Sequence, residues 1–142
     1  MTGLVARAQR RVAAPPERVW QVLTSPEPHP EVLAGARTIS DWRPGSPVRW
    51  AGEWEGRPFE DRGEVVEVDR PRRLVVTHYS PMSGAPDVPE SYHRLTYTLV
   101  PDGEGTLVSL EQDNNADAEA VAHSEQTWDA MLAGVAAVAE RV

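Results

Sequence analysis

Two strand-like segments place polar side chains that can donate or exchange protons beside aliphatic ones. In LVVTHY, Leu74 and Val76 share a face with His78, because alternate residues of a strand point to the same side of a sheet. In SYHRLTYTL, His93 and Tyr97 share a face with two leucines. Imidazole and phenol groups can act as acids, bases or hydrogen-bond donors. If the aliphatic residues face the core, we expect these three polar side chains to line the same interior surface.

Other segments extend this interior surface with aromatic and amide side chains. In VRWAGEW, Val48 shares a face with Trp50 and Trp54, and in TLVSLEQ, Gln112 alternates with aliphatic residues. A long C-terminal helix adds a tryptophan and a leucine. The result is a mostly apolar surface with a few polar groups, which is the composition of a small-molecule pocket. The predicted ligand-binding residues are Trp50, Trp54, His78, His93, Tyr97, Gln112, Trp128 and Leu132.

Each of these residues also has an ordinary structural interpretation. His78 and His93 can be half-buried strand residues satisfied by their neighbours, and Tyr97 can be a core residue with its hydroxyl bonded to the backbone. The strand tryptophans would lie on the outer face if a bulge shifted the register, because a one-residue slip reverses every side chain. Trp128 can equally pack in the core or line a cavity.

The segment FEDRGE places carboxylates beside an arginine on neighbouring strand positions. An inward-pointing carboxylate among Glu60, Asp61 and Glu64 would be a candidate acid or base. We prefer the interpretation that these are solvated charges on the outer face, some of them paired with Arg62. No catalytic residue is therefore assigned.

Several reaction and cofactor classes lack their sequence signatures. The chain contains no G-x-S-x-G nucleophile motif, phosphate-binding loop or dinucleotide fingerprint. It has no cysteine, which excludes disulfides and thiolate-ligated metals, and its histidines lack the H-E-x-x-H spacing of a zinc site. We predict neither a metal nor a cofactor.

The charge of the chain restricts its partners. The net charge is -8 and the isoelectric point is near 4.9, so nucleic acid and anionic membrane surfaces are not expected to bind. No apolar run approaches the roughly 18 residues of a membrane span, and the N-terminus lacks the apolar stretch of a signal peptide. We expect a cytoplasmic protein that is a monomer or a homodimer.

Turn-forming residues divide the chain into predicted elements. A strand over residues 4–12 leads into a helix that begins at the paired prolines of APPERVWQVLTSPE. A second short helix is predicted from Ser25 as N-cap to Gly35. About six short antiparallel strands follow between Ile39 and Asp113. The Pro-rich loop 80–90 within them is either a mobile rim or a plain loop.

The last predicted element is a long amphipathic helix with Asn115 as N-cap and its end near Glu140. A β-meander with one apolar face needs a covering partner, and this helix can supply it. The chain is therefore predicted to be one α+β domain over residues 1–142. The apolar stripe comprises Val121, Ser124, Trp128, Met131, Leu132, Val135, Val138 and Val142.

The order of five motifs resembles the helix-grip superfamily, which includes START and Bet v 1 domains, and most of all its branch related to the activator of the Hsp90 ATPase. The motifs are APPERVWQVLTSPE, DWRPGSPVRW, GEVVEVDRPRRLVVTHY, LTYTLVPDGEGTLVSLEQDNN and HSEQTWDAML. The resemblance implies a curved antiparallel sheet of six to seven strands around the C-terminal helix, two short helices after strand 1, and a cavity between sheet and helix. One departure is HPEVLAG, where relatives often carry an aromatic residue.

The resemblance implies a binding function more directly than a reaction. We expect the cavity to bind a small hydrophobic molecule, aromatic or lipid-like. An enzyme of the polyketide cyclase or dehydratase kind, in which His78, His93 or Tyr97 moves a proton, is an alternative. A chaperone-cofactor domain that binds another protein is a second alternative, because one fold hosts many functions.

Overall fold

A computed structural model of the protein describes residues 2–141, so Val142, the last residue of the predicted stripe, lies outside the described residues. Within that range the elements are β1 Leu4–Val12, α1 Pro16–Thr24, β2 Arg37–Ser40, β3 Pro47–Trp54, β4 Arg57–Asp69, β5 Arg73–His78, β6 His93–Asp102, β7 Gly105–Asn115 and α2 Ala118–Ala139. Single 3-10 turns occupy Leu33–Gly35, Pro81–Ser83 and Pro89–Ser91.

The strands form one seven-stranded antiparallel sheet in the order β1, β7, β6, β5, β4, β3, β2. Strands β2 to β7 are consecutive neighbours, as expected for a meander, and β1 pairs with the far side of β7. Helix α2 packs against β1, β7 and α1. A sheet covered by a long terminal helix confirms the predicted α+β helix-grip fold. No helix of the described residues is long and apolar enough to cross a membrane.

One carboxylate within α2 and one at its C-cap hold this helix along the edge of the sheet. Glu125 accepts a hydrogen bond from the backbone N–H of Arg7 (2.9 Å), and Glu140 accepts one from the N–H of Ala13 (2.8 Å). Strand β1 is an edge strand, whose outward N–H groups would otherwise be open to pairing with another chain. The helix therefore covers the edge as well as the core.

The second predicted short helix is wrong. Residues 25–32 contain no α-helix, and only the 3-10 turn Leu33–Gly35 follows. Pro26, Pro28 and Pro30 explain the difference, because each lacks an N–H donor and disfavours the helical conformation of the residue before it. The fold thus has one short α-helix after β1 instead of two.

The corner between β7 and α2 also differs from the prediction. Asp117, not Asn115, is the N-cap, and its carboxylate accepts a hydrogen bond from the N–H of Ala120 (2.8 Å). Asn115 is buried at the end of β7 and donates to the carbonyl oxygens of Leu4 (3.1 Å) and Gln112 (2.9 Å). This side chain is therefore used to join two strands.

The apolar stripe of α2 packs as predicted over its described length. From Trp128 onward, its members Met131, Leu132, Val135 and Val138 are all buried. They pack in one core with α1 and the inner face of the sheet. The N-terminal members of the stripe, Val121 and Ser124, are only half-buried.

The Pro-rich loop 80–90 is held to the sheet by polar contacts of two flanking tyrosines. The hydroxyl of Tyr79 donates to the carbonyl of Ala85 (2.6 Å), and that of Tyr92 donates to Asp87 (2.7 Å). The two tyrosine rings stack with their centroids 5.2 Å apart. Arg62 forms an ion pair with Asp87 (3.2 Å). These contacts fix the loop beside β4 and β5.

Candidate functional site

A cavity of about 390 Å³ lies between the sheet and the middle of α2, where Thr127, Trp128, Ala130 and Met131 line it. Its volume falls in the range of roughly 300 to 1,000 Å³ that is usual for small-molecule pockets. The lining is mostly apolar and comes from β3, β4, β5, β6, α2 and the segment before β2. The lining residues are Glu31, Leu33, Ala36, Trp50, Trp54, Phe59, Asp61, His78, Leu95, Tyr97, Thr127, Trp128, Ala130 and Met131.

The register of the hairpin β3–β4 places a carboxylate on the inner face of the sheet, the face that α2 covers. Glu55 and Gly56 form the turn with positive φ angles of 51° and 77°, so Trp54 pairs with Arg57. The same register puts Trp50 directly opposite Asp61. Directly opposed residues share a face of the sheet, and Asp61 therefore points into the cavity beside Trp50.

This position of Asp61 corrects the interpretation of FEDRGE as entirely outward charges. Its neighbours do lie outside, because Glu60 pairs with Arg49 (3.6 Å) and Arg62 pairs with Asp87 on the outer face. Asp61 instead pairs with His78, whose Nε2 lies 2.8 Å from Asp61 Oδ2. The two side chains are only 16% and 18% exposed, respectively. The charged side chains of β4 thus alternate between the outer and the inner face, as the other side chains of a strand do.

The Asp61–His78 pair leaves two polar atoms without partners. A carboxylate oxygen only accepts hydrogen bonds, so Nε2 of His78 is the donor to Asp61 and Nδ1 of a neutral ring is an acceptor. Asp61 Oδ1 and His78 Nδ1 are buried and have no hydrogen-bond partner among residues 2–141. An unpaired buried polar group costs about 1 to 3 kcal/mol. Such a cost beside a cavity is the kind of strain found at binding and catalytic sites.

The Asp61–His78 pair could also act in proton transfer. A carboxylate that fixes the tautomer and orientation of an imidazole is the arrangement of a general base. The Trp50 ring meets His78 edge-on, with centroids 5.0 Å apart, and limits its movement. A ligand in the cavity would lie beside an oriented acceptor.

Trp128 belongs both to the core and to the cavity wall. Its side chain is 7% exposed, and its indole N–H donates to the side-chain oxygen of Gln112 (2.5 Å). Gln112 is itself buried at the end of the inner face of β7. The hydrogen bond fixes the indole plane, so the rest of the ring forms a rigid wall of the cavity.

The other predicted site residues lie in three places: the cavity, an adjoining depression and the core. Trp54 and Tyr97 line the cavity with Trp50, His78 and Trp128, although Trp54 is 52% exposed at its rim. His93 and Gln112 line an adjoining polar depression, which shares Asp61, His78 and Trp128 with the cavity. The His93 Nδ1 atom lies 2.8 Å from the carbonyl oxygen of Asp113. Leu132 is 1% exposed and packs in the core instead of lining the cavity.

Sequence reasoning left Asp61 as a less favoured inward-pointing candidate, and it missed Phe59 and the wall formed by the segment before β2. For Asp61 a signal existed, because the two-residue turn at Glu55 and Gly56 fixes its pairing with Trp50. For the wall of Glu31, Leu33 and Ala36 there was none, since an irregular segment has no periodicity to read.

A metal is not indicated by the arrangement of acidic residues and histidines. Within the described part of the chain, no group of three or more such side chains could hold a metal ion.

The hydroxyl of Tyr97 gives a testable dependence of stability on pH. Burial raises the pKa of Tyr97 above the usual value for tyrosine, and the hydroxyl donates a weak hydrogen bond to the Met131 sulfur (3.9 Å). A tyrosine in the unfolded chain ionises near pH 10. The contribution of Tyr97 to the free energy of unfolding is therefore fully present below about pH 10 and is lost as the pH rises further. We expect wild type to lose up to about 1.4 kcal/mol more per pH unit than Tyr97→Phe above that pH.

Urea unfolding of both proteins between pH 8 and 11 measures this difference. The pKa of Tyr92 is also raised, mainly by its hydrogen bond to Asp87, but this contribution is common to both proteins. Parallel stability curves would show that the Tyr97 hydroxyl is not buried.

Comparison with known proteins identifies the family. The sequence profile of the AHSA1 family, described as activator of Hsp90 ATPase homolog 1-like protein, matches residues 13–140. The chain belongs to the AHSA1 family. No protein of curated function matches the sequence. Family and fold together support a ligand-binding domain in general.

Several solved structures are similar to this AHSA1 protein. ChR145 from Cytophaga hutchinsonii is 38% identical, with a TM-score of 0.82 over 99% of this chain and 96% of its own. The Aha1 dimer from Colwellia psychrerythraea is 16% identical, with a TM-score of 0.74 over 96% of both chains. DynU16, from the dynemicin biosynthetic locus, is 19% identical, with a TM-score of 0.77 over 96% of this chain and 47% of its own. The last two share the fold alone.

Proposed function

We propose that this AHSA1 protein binds a small aromatic molecule in the cavity between the sheet and α2. The observation that carries the proposal is the aromatic wall. Trp50, Trp54 and Phe59 from the β3–β4 hairpin face Trp128 from the helix across a cavity of about 390 Å³. Planar side chains on opposite sides of a gap favour a flat ring between them.

Burial of the ligand's apolar surface alone can account for binding, and no chemical step is needed to explain the cavity. Removing on the order of 300 Å² of apolar ligand surface from water gives about 7 kcal/mol before the costs of association. Micromolar dissociation constants are then expected. Binding is the function that this cavity supports best, because the Asp61–His78 pair by itself defines no reaction.

Two features outside the cavity agree with this function. DynU16 shows that a protein of this fold occurs in a biosynthetic locus, which suits a carrier or binder of small metabolites. The acidic balance of the chain disfavours nucleic-acid partners, and we propose a cytoplasmic location. As a relative of the same fold is described as a dimer, we propose a monomer or a homodimer for this chain.

Filling the cavity from the helix tests the proposal. Ala130 lies on the exposed side of α2 but lines the cavity, so Ala130→Trp should fold normally and occupy the ligand's space. We expect wild type to bind 2-naphthalenemethanol and Ala130→Trp to bind it at least about tenfold more weakly, measured by isothermal titration calorimetry. A bound ligand at about 100 times its dissociation constant should also add about 2.7 kcal/mol of stability.

The matched control is Ala137→Trp, an exposed position on the same helix outside the cavity lining. This variant should bind like wild type. If no aromatic ligand binds the wild type, or if both variants bind as it does, the ligand-binding proposal is wrong.

A further inference from the structure

The polar end of the cavity restricts the ligand's polar group. Asp61 and Glu31 are the only charged side chains among the described lining residues apart from the titratable His78. Glu31 forms an ion pair with Arg141, which lies outside the lining. In either protonation state of His78, the Asp61–His78 pair carries no net positive charge. An anionic ligand group would therefore lose its hydration without gaining a counter-charge.

The adjoining depressions do not supply that counter-charge either. The polar depression beside the cavity is lined by Ser80, Ser91, His93, His123 and other residues around the same Asp61–His78 pair, and no lysine or arginine is among the described lining residues. The outer mouth, between Trp54 and Met82, also lacks arginine among the described residues, and the sequence has no lysine at all. Among the described residues that line these pockets, a carboxylate or phosphate therefore finds no lysine or arginine.

The unpartnered atoms of the pair instead require a donor. With Nε2 of His78 committed to Asp61 Oδ2, Asp61 Oδ1 and Nδ1 of the neutral ring can only accept hydrogen bonds. A ligand hydroxyl or ammonium at this end would satisfy a buried acceptor that no described residue reaches. The aromatic walls from Trp50 and Trp128 contact the ring of such a ligand, and they also favour a cation through the negative faces of the indoles.

We infer that the cavity selects aromatic molecules that carry a hydrogen-bond donor and no anionic group, with Asp61 as the acceptor. This inference rests on the proposed function and specifies its ligand class. Aromatic alcohols and aromatic amines share the required chemistry. Aromatic acids and fatty acids do not have it.

A matched ligand series on the wild-type protein tests the inference by calorimetry. The ligands are 2-naphthalenemethanol, 2-naphthylmethylamine, 2-naphthoate and 2-methylnaphthalene, which differ only in the polar group. We expect the alcohol and the amine to bind roughly tenfold or more tighter than the naphthoate and the methyl compound, since a hydrogen bond to a charged group has about that effect. Tighter binding of the amine than of the alcohol would identify a cationic ligand, and the reverse a neutral one.

The substitution Asp61→Asn tests whether Asp61 is the residue that accepts the ligand's hydrogen bond. The ratio of alcohol to methylnaphthalene affinity should fall roughly tenfold, and using a ratio cancels any general loss of binding in the variant. Glu60→Gln makes the same chemical change one residue away on the outer face and should leave the ratio unchanged.

The outcomes separate the inference from the function on which it rests. If the naphthoate binds as tightly as the alcohol, or if Asp61→Asn leaves the ratio unchanged, the inference is overturned while the binding function stands. If no member of the series binds, the binding function itself falls. The wild-type series decides the exclusion of anions even if Asp61→Asn does not fold.

Discussion

Replacing Trp128 with alanine should lower the free energy of unfolding by about 3 to 5 kcal/mol, the range for deleting a buried large aromatic side chain. Trp128 is 7% exposed, and its removal also leaves the buried oxygen of Gln112 without its donor. For a domain of this size the melting temperature should fall by on the order of 10 °C. Urea unfolding at neutral pH measures the change.

The control for this prediction is Trp54→Ala in the same cavity wall. Trp54 is 52% exposed, so its loss should cost less than about 1 kcal/mol although it removes a similar volume. Both variants should weaken binding of an aromatic ligand. Equal destabilisation by the two would show that Trp128 is not the residue that joins the cavity wall to the core.

Gly134→Ala should destabilise the protein by about 1 to 3 kcal/mol, in the opposite direction from its helix propensity. Alanine is favoured over glycine inside a helix by up to about 1 kcal/mol. A Cβ atom at position 134, however, would overlap the backbone carbonyl oxygen of Glu31. The segment that contains Glu31 and Leu33 forms one wall of the cavity, so displacing it should also weaken ligand binding.

The reverse change, Ala137→Gly on the exposed side of the same helix, is the matched control. It should cost about 1 kcal/mol and leave ligand affinity unchanged. Thermal and urea unfolding of both variants provide the comparison. A stabilised Gly134→Ala protein would mean that the segment before β2 does not pack on the helix as described.

The sheet and its covering helix could be predicted because their signals are local and repetitive. Gly and Pro residues in the turns marked the boundaries between the strands of the meander. The spacing of Trp128, Leu132 and Val135 identified the buried face of α2. Proline chemistry explains the failure after α1, where three prolines at alternate positions outweighed an apparent N-cap. Asn115 failed as a cap for a different reason, because its side chain bonds carbonyl groups of two strands, one of them at Leu4, which is distant in sequence.

The site was only partly predictable, since it depends on pairings across strands. Alternation placed Trp50 and His78 inside, but it could not show that Asp61 lies within 2.8 Å of His78. That contact requires the register of β3 against β4 together with the approach of β5. The polarity of the neighbouring residues concealed it, because Glu60 and Arg62 are in fact outward charges.

The five indole N–H groups of the protein provide the most direct test of a ligand between sheet and helix. We would titrate ¹⁵N-labelled protein with 2-naphthalenemethanol and follow these signals by NMR. Trp50, Trp54 and Trp128 line the cavity, whereas Trp20 is buried in the core and Trp42 packs against it elsewhere. We expect saturable shifts for the first three indoles and none for the other two. Shifts confined to Trp20 and Trp42, or no saturable shift at all, would show that the ligand does not bind between sheet and helix.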